Sequence, residues 1–211
     1  MLYMLTNYKV RDVLINQQTS GVESSDDDKV HFIALRNFVN NFIDSNAKKY
    51  GKYVTDNKLN KLLLDVAPQD YEGAQPFLRY SNGNIIVETL DINPKSNATY
   101  ILDITKYNSI IKDNTYDYIL ITEVLEHTLQ PFDVVKELYR ILKPNGIVFL
   151  SVPCNFRIHG PLPDNWRFTQ YGLQHALFTN TKWEWLECHA LENIERNLFP
   201  IDYSCVIKKR E

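Results

Sequence analysis

From residue 61 onward the apolar residues come in short, near-continuous runs separated by turn residues: 62–66, 85–90, 100–102, 116–121 and 147–152. Runs of this kind suit strands covered on both faces, where neither side can be polar. Between the last two lies PFDVVKELYRILKPNG. Pro131 suits the first turn of a helix, Phe132, Val135, Leu138 and Leu142 recur at helical spacing, and Lys143-Pro144-Asn145-Gly146 stops it. Strand, helix and strand in this order require right-handed crossovers, hence a parallel sheet of α/β class. At the end, TKWEWLECHAL and YSCVIKK follow one another with no long helix between them, which predicts an antiparallel pair at the sheet edge.

Ahead of these runs the period changes. KVHFIALRNFVNNFIDSNAKKY places Val30, Ile33, Ala34, Phe38, Phe42 and Ile43 at helical spacing, with Asp27 and Asp28 at the favourable end of the helix dipole. The polar, acidic TSGVESSDDDKV before it reads as a loop. The chain therefore divides into an N-terminal helical extension, 1–55, and a main domain, 56–211. The extension lies against the main domain, where it could cap a pocket or mediate a homodimer.

Composition narrows the partners. A chain of 211 residues, 44% of them hydrophobic, is long enough for one substantial core. A net charge of -3 gives no overall attraction to phosphate backbones or anionic membranes, so nucleic acid is not expected as a partner. No stretch approaches the roughly 20 apolar residues of a membrane span, and MLYMLTNYKVRDVLINQ lacks a signal peptide's apolar core. Cys154, Cys188 and Cys205 are odd in number and widely spaced, which fits a reduced, cytoplasmic protein without disulfides.

The candidate chemistry sits where the apolar runs end. In an open parallel sheet, ligands bind beyond the C-terminal ends of the strands. Those ends carry Asp65, Asp91 and Asp103 in consecutive units, then Thr122, Glu123, Glu126 and His127 after the fourth. An acid closing the second strand can accept both ribose hydroxyls of an adenosine cofactor. Each Asp alone could equally be a helix or turn cap, but three in succession are harder to explain that way.

LLLDVAPQD, TLDINP, YILDIT and above all YDYILITEVLEHTLQPFDVVKELYRILKPNGIVFLSVP resemble the corresponding segments of class I S-adenosylmethionine-dependent methyltransferases, over roughly 56–211. That resemblance implies a Rossmann-like sheet of seven strands, mostly parallel with a reversed C-terminal hairpin. It also implies S-adenosyl-L-methionine as cofactor, held by Asp65, Val66, Ala67, Pro68, Asp91, Ile92, Asp103, Ile104, Thr122 and Glu123. IHGPLPDNWRFTQYGLQHAL is similar to an HG…DYWRFT…GL segment of a subgroup associated with sugar or glycan modification, with Asn165 in place of the usual tyrosine. The implied reaction is in-line methyl transfer to a small-molecule or sugar acceptor, at a hydroxyl oxygen.

Within that frame His159, on the loop after the fifth strand, is the candidate general base. The alternative is a surface hydrogen-bonding role. His127 is a second candidate, or a histidine tied to backbone near the pocket floor, and Asp164 is the third catalytic candidate. Trp166 and Phe168 could wall the acceptor. Arg167 could bind an acidic group on it or pair with Asp164 to pin the loop. No metal is expected, since no HExxH or matching ligand set accompanies Glu126 and His127.

The first-strand loop has Ala67 and Gln69 where glycines are usual. A dinucleotide pyrophosphate needs those glycines for close backbone approach. S-adenosylmethionine carries no phosphate, so the loop argues mainly against a nicotinamide oxidoreductase. Asp70 could face the cofactor's ammonium or cap a helix. The competing reading is a catalytically silent relative, a binding or scaffold protein with a degenerate cofactor loop.

Overall fold

A computed structural model of the chain describes residues 26–68, 73–179, 182–192 and 199–211. Gln69, Asp70 and the part of the expected loop up to residue 25 lie outside the described residues, while its remainder, 26–30, is helical rather than loop. Contacts divide the chain at residue 34, and Leu35–Glu211 form one compact unit. Before that point the described backbone, from Asp26, is helical.

The elements are α1 (Asp26–Asp56), β1 (Lys61–Val66), α2 (Gln75–Ser81), β2 (Ile85–Asp91), β3 (Tyr100–Ile101), β4 (Tyr116–Thr122), α3 (Pro131–Ile141), β5 (Leu142–Pro153), β6 (Trp183–Leu191) and β7 (Asp202–Lys209). A 3-10 turn, Leu125–His127, follows β4, and a short helix, Gln170–Gly172, runs into a π turn, Leu173–Leu177.

The strands make one seven-stranded sheet in the order β3-β2-β1-β4-β5-β7-β6. Pairings from β3 through β5 are parallel, while β7 runs antiparallel to both β5 and β6. This is the Rossmann-like sheet of seven strands that the resemblance implies, and its reversed final hairpin is the antiparallel pair that the C-terminal pattern predicts. The order reverses between β1 and β4, which opens a crevice at the C-terminal ends of those two strands.

Alternate residues along each strand feed two separate cores. Leu63, Tyr118, Leu120, Phe149 and Val206 face one side, where they meet α1 and α2 through Leu35, Val39, Phe42, Ile43, Ala47 and Phe77. Leu64, Val66, Ile119, Ile121, Val148 and Leu150 face the other, against α3 and Leu173, Leu177 and Phe178. Burial on both faces is why these strands read as continuous apolar runs rather than alternating ones.

Two details differ from the sequence pattern. The buried stripe of α1 runs through Leu35, Val39, Phe42, Ile43, Ala47 and Val54, whereas Ile33 is 60% exposed. In α3 the inward positions are Val134, Val135, Leu138 and Ile141, and Phe132 is 46% exposed. In each helix the period is right and the phase is shifted, because the packing surface, not the helix alone, selects the face. β5 also starts directly at Leu142, pairing with Tyr116 before an irregularity lets Ile147 pair with Tyr118.

Cys188 and Cys205 stand opposite each other across β6 and β7 as free thiols. Among the described residues no helix is long and apolar enough to cross a membrane.

Candidate active site

The loop after β1 is held by Asp65. Its carboxylate is buried and accepts the Ala74 N–H at 2.8 Å. Gly73 makes that contact feasible: it adopts φ +55°, and a Cβ there would lie 2.6 Å from Asp65 Oδ2. Ala67 takes φ +53° and donates its N–H to Leu90 O at 2.8 Å. Thus an alanine carries the left-handed turn expected of glycine, and the glycine the sequence seemed to lack stands further along as Gly73. Val66 is buried, and Pro68 is half-buried.

At the end of β2, Asp91 is buried and its Oδ1 accepts the Asn93 N–H at 2.7 Å. The exposed Ile92 follows it. Asp103, after β3, accepts the Thr105 N–H at 2.9 Å and the Thr105 hydroxyl at 2.6 Å. It therefore acts as a local turn cap, with Ile104 in the core behind it.

The β4 end is the most buried and most charged part of the site. Thr122 closes the strand, and Glu123 follows at φ +53°, accepting the Ser151 hydroxyl from β5 at 2.7 Å. Glu126 and His127 lie on the 3-10 turn that follows. Asp202, the first residue of β7, enters from the far side, because the antiparallel strand begins where the parallel ones end. Nothing in the spacing along the chain singles out Asp202, whose only signal is an acid set before the apolar run of YSCVI.

Glu123, Glu126 and Asp202 are all buried, and among the described residues Glu123 Oε2 and both carboxyl oxygens of Glu126 and of Asp202 have no hydrogen-bond partner. Burial, reinforced by the neighbouring Glu126, pushes the Glu123 carboxyl up to about 8. Burial likewise pushes Glu126 up to about 8, and drives Asp202 well above the carboxylate range with Glu123 adding to it. Two such carboxyls side by side cannot both ionise, and a proton shared by Glu123 and Asp202 satisfies the pair.

The loop after β5 closes over this turn. Asn165 and Trp166 donate their backbone N–H groups to Glu126 O at 2.7 and 3.2 Å, and Trp166 Nε1–H donates to Thr128 O at 2.9 Å. Trp166 stays 38% exposed and stacks on Phe168, which is buried.

Arg167 holds the loop's shape. Its Nε donates to Phe156 O, its two terminal nitrogens to both Asp164 oxygens, and further N–H groups to the Arg157 and Trp166 carbonyls. All five guanidinium donors are thereby engaged. The pairing of Arg167 with Asp164, one of the two expected roles, is present in the structure. Asp164 is correspondingly committed to Arg167 and to the His159 N–H at 2.8 Å. Burial alone would raise its carboxyl, but the Arg167 guanidinium and that N–H hold it below the usual range. Arg167→Ala leaves the buried Asp164 charge uncompensated and is expected to cost the loop about 3 kcal/mol. Faster limited proteolysis within 155–169 is the readout, and an unchanged cleavage rate would refute the role.

The loop so held brings His159 beside Glu126 and His127. His159 Nε2 lies 3.6 Å and His127 Nε2 3.5 Å from Glu126 Oε1, with the two rings edge to face at 5.0 Å. Both imidazoles are close to 10–15% exposed. Burial lowers the His127 pKa, favouring the neutral ring. Spacing along the chain offers no third ligand to Glu126 and His127; the fold supplies one, since Glu126, His127 and His159 form a grouping suited to a metal ion.

A separate open pocket of about 570 Å³, lined by Lys49, Lys61, Asp117 and Lys143 among others, lies at the other end of the strands, where β1 and β4 begin.

A family model described as a methyltransferase domain matches residues 16–191. Among solved structures, the chain is similar to the 4+2 cyclase SpnF, with 13% identity, a TM-score of 0.56, and coverage of 79% of this chain and 81% of that one. It is similar to the 1,6-didemethyltoxoflavin-N1-methyltransferase of Burkholderia thailandensis, with 12% identity, a TM-score of 0.52, and coverage of 91% and 93%. A SAM dependent methyltransferase from Archaeoglobus fulgidus gives 15% identity, a TM-score of 0.51, and coverage of 81% and 94%. At these identities the likenesses speak for the fold alone, and a cyclase among them shows that the fold does not dictate the chemistry. No curated protein matches the sequence.

Proposed function

The chain belongs to the methyltransferase domain family, and on that premise we propose that it transfers the methyl group of S-adenosylmethionine to a hydroxyl oxygen of a small-molecule or sugar acceptor. The observation that carries this reading is the set of groups at the C-terminal ends of the strands: a tight backbone turn after β1, two buried strand-end acids, and a histidine pair formed by the turn after β4 and the loop after β5. The left-handed turn at Ala67, anchored to Leu90 O, and the buried Asp91 fit a nucleoside-bearing cofactor without phosphate.

Asp91 would meet the ribose, Ile92 and Ile104 the adenine, and Ala67, Thr122 and Glu123 the methionine portion. When bound, the cofactor supplies an electrophilic methyl group. The protein aligns the acceptor with it, and that alignment is the larger part of the acceleration. The acceptor's proton leaves toward the cluster of Glu126, His127 and His159, the part of the site richest in proton acceptors. Asp164 and Arg167 act through the loop by holding His159 in place. The similarity of IHGPLPDNWRFT to a segment of glycan-modifying relatives supports a sugar-type acceptor.

Calorimetric titration with S-adenosylmethionine tests the reading. Asp91→Ala is expected to weaken binding at least tenfold through loss of a charge-assisted hydrogen bond, about 1.5–3 kcal/mol. Absence of binding by the wild-type protein at millimolar cofactor would favour the silent scaffold instead. Labelled cofactor offered with nucleotide sugars and with simple polyols then identifies the acceptor class.

A further inference from the structure

Glu126 is wholly buried, and neither of its carboxylate oxygens has a hydrogen-bond partner among the described residues. Two imidazole nitrogens are nonetheless directed at its Oε1, His127 Nε2 at 3.5 Å and His159 Nε2 at 3.6 Å. In each ring the other nitrogen is already engaged. His127 Nδ1 lies 3.1 Å from Pro163 O, and His159 Nδ1 lies 3.2 Å from Arg157 O and 3.2 Å from Asp164 Oδ2. These oxygens accept, so in both rings Nδ1 bears a hydrogen and Nε2 is the nitrogen turned toward Glu126. Two imidazole nitrogens and one buried carboxyl oxygen thus converge on one point, and a cation standing there would engage all three at once.

The spacing fits that occupant. Donor atoms bound at about 2.0–2.2 Å around a tetrahedral ion stand about 3.4 Å apart, whereas a direct N–H···O hydrogen bond would draw them to about 2.9 Å. The three donor atoms all lie within 4.8 Å of one another. The Nδ1–H contacts to carbonyl and carboxylate oxygen are the supports that orient metal-binding histidines and fix their tautomer.

We propose that Glu126, His127 and His159 form a binding site for one divalent first-row transition-metal ion. Two imidazoles and one carboxylate suit zinc or iron(II) rather than magnesium or calcium, which take mainly oxygen ligands. Three protein ligands leave at least one position open. A hydroxyl of the acceptor bound there would be acidified by the ion and would lose its proton to solvent rather than to these three side chains; this consequence rests on the methyl-transfer reading, whereas the site itself does not.

The test is titration of the chelator-treated full-length protein with Zn²⁺ by calorimetry and with Co²⁺ by visible d–d absorption. Saturable uptake of one ion per chain is expected, together with a rise in the thermal unfolding midpoint on Zn²⁺ addition. Glu126→Gln keeps the side chain's shape and removes its charge, and His159→Gln removes a nitrogen ligand. Each is expected to weaken Zn²⁺ binding by on the order of 100-fold, with Co²⁺ absorption intensity lost or altered. Unfolding midpoints of the metal-free variants show that they fold. No saturable uptake of either ion, uptake unchanged in both variants, or uptake of Mg²⁺ in preference to Zn²⁺ would overturn the proposal. None of these measurements involves the cofactor or an acceptor, so failure of the methyl-transfer reading leaves the metal result standing.

Discussion

Gly73→Ala is expected to destabilise the protein by about 2–5 kcal/mol and to disorganise the loop that follows β1. Two costs combine. A side chain at φ +55° pays the left-handed penalty of about 1–2 kcal/mol. Its Cβ would also lie 2.6 Å from Asp65 Oδ2, so the carboxylate must move away from the Ala74 N–H it accepts at 2.8 Å. A buried donor left unsatisfied adds about 1–3 kcal/mol. The control is Ala67→Gly, which relieves a left-handed alanine at φ +53° and is expected to gain about 0.5–1 kcal/mol after the chain-entropy cost of glycine. Urea unfolding of both variants decides the matter. If Gly73→Ala unfolds within 1 kcal/mol of wild type, the packing argument for this loop fails.

The same loop shows what is and is not legible in the sequence. The apolar runs give the central strands because burial on both sheet faces leaves a local trace there, as in Leu62–Leu64 and Tyr118–Ile121, whereas β2, β3 and β6 carry exposed positions. Turn geometry leaves a weaker one. LLLDVAPQD suggests a loop short of glycines, yet the left-handed turn is made by Ala67, and Gly73 serves the contact with Asp65 instead.

The site was harder to read, and for a physical reason. Its strand-end acids follow from topology, since parallel strands end together. The partnership of Glu126 and His127 with His159, however, is made by a loop whose course depends on Arg167 satisfying several carbonyls at once. Asp202 joins only because β7 is reversed, which sets its first residue beside the last residue of β5. No spacing along the chain encodes either juxtaposition.

Stability of the cofactor-free protein is expected to fall as pH rises from 5 to 8, and Asp65→Asn is expected to remove a defined share of that fall. Burial pushes the Asp65 carboxyl from 3.8 up to about 7, and the Ala74 N–H opposes the shift only in part. The folded-state value lies above the unfolded one, so the folded chain holds this proton more tightly. The associated stability is complete below about pH 3.8 and is lost as pH climbs to about 7. At about 1.4 kcal/mol per pH unit the whole span is on the order of 4 kcal/mol, of which about 3 kcal/mol falls between pH 5 and 8. Asparagine fixes the neutral form and can still accept the Ala74 N–H. Glu123, Glu126 and Asp202 shift in the same direction, but they titrate in both proteins, so the difference between variant and wild type isolates position 65. Urea unfolding at the two pH values should therefore show Asp65→Asn gaining about 3 kcal/mol on wild type as pH rises. Parallel pH profiles would mean that Asp65 is ionised in the folded protein throughout and that its burial is compensated by charge, not by a proton.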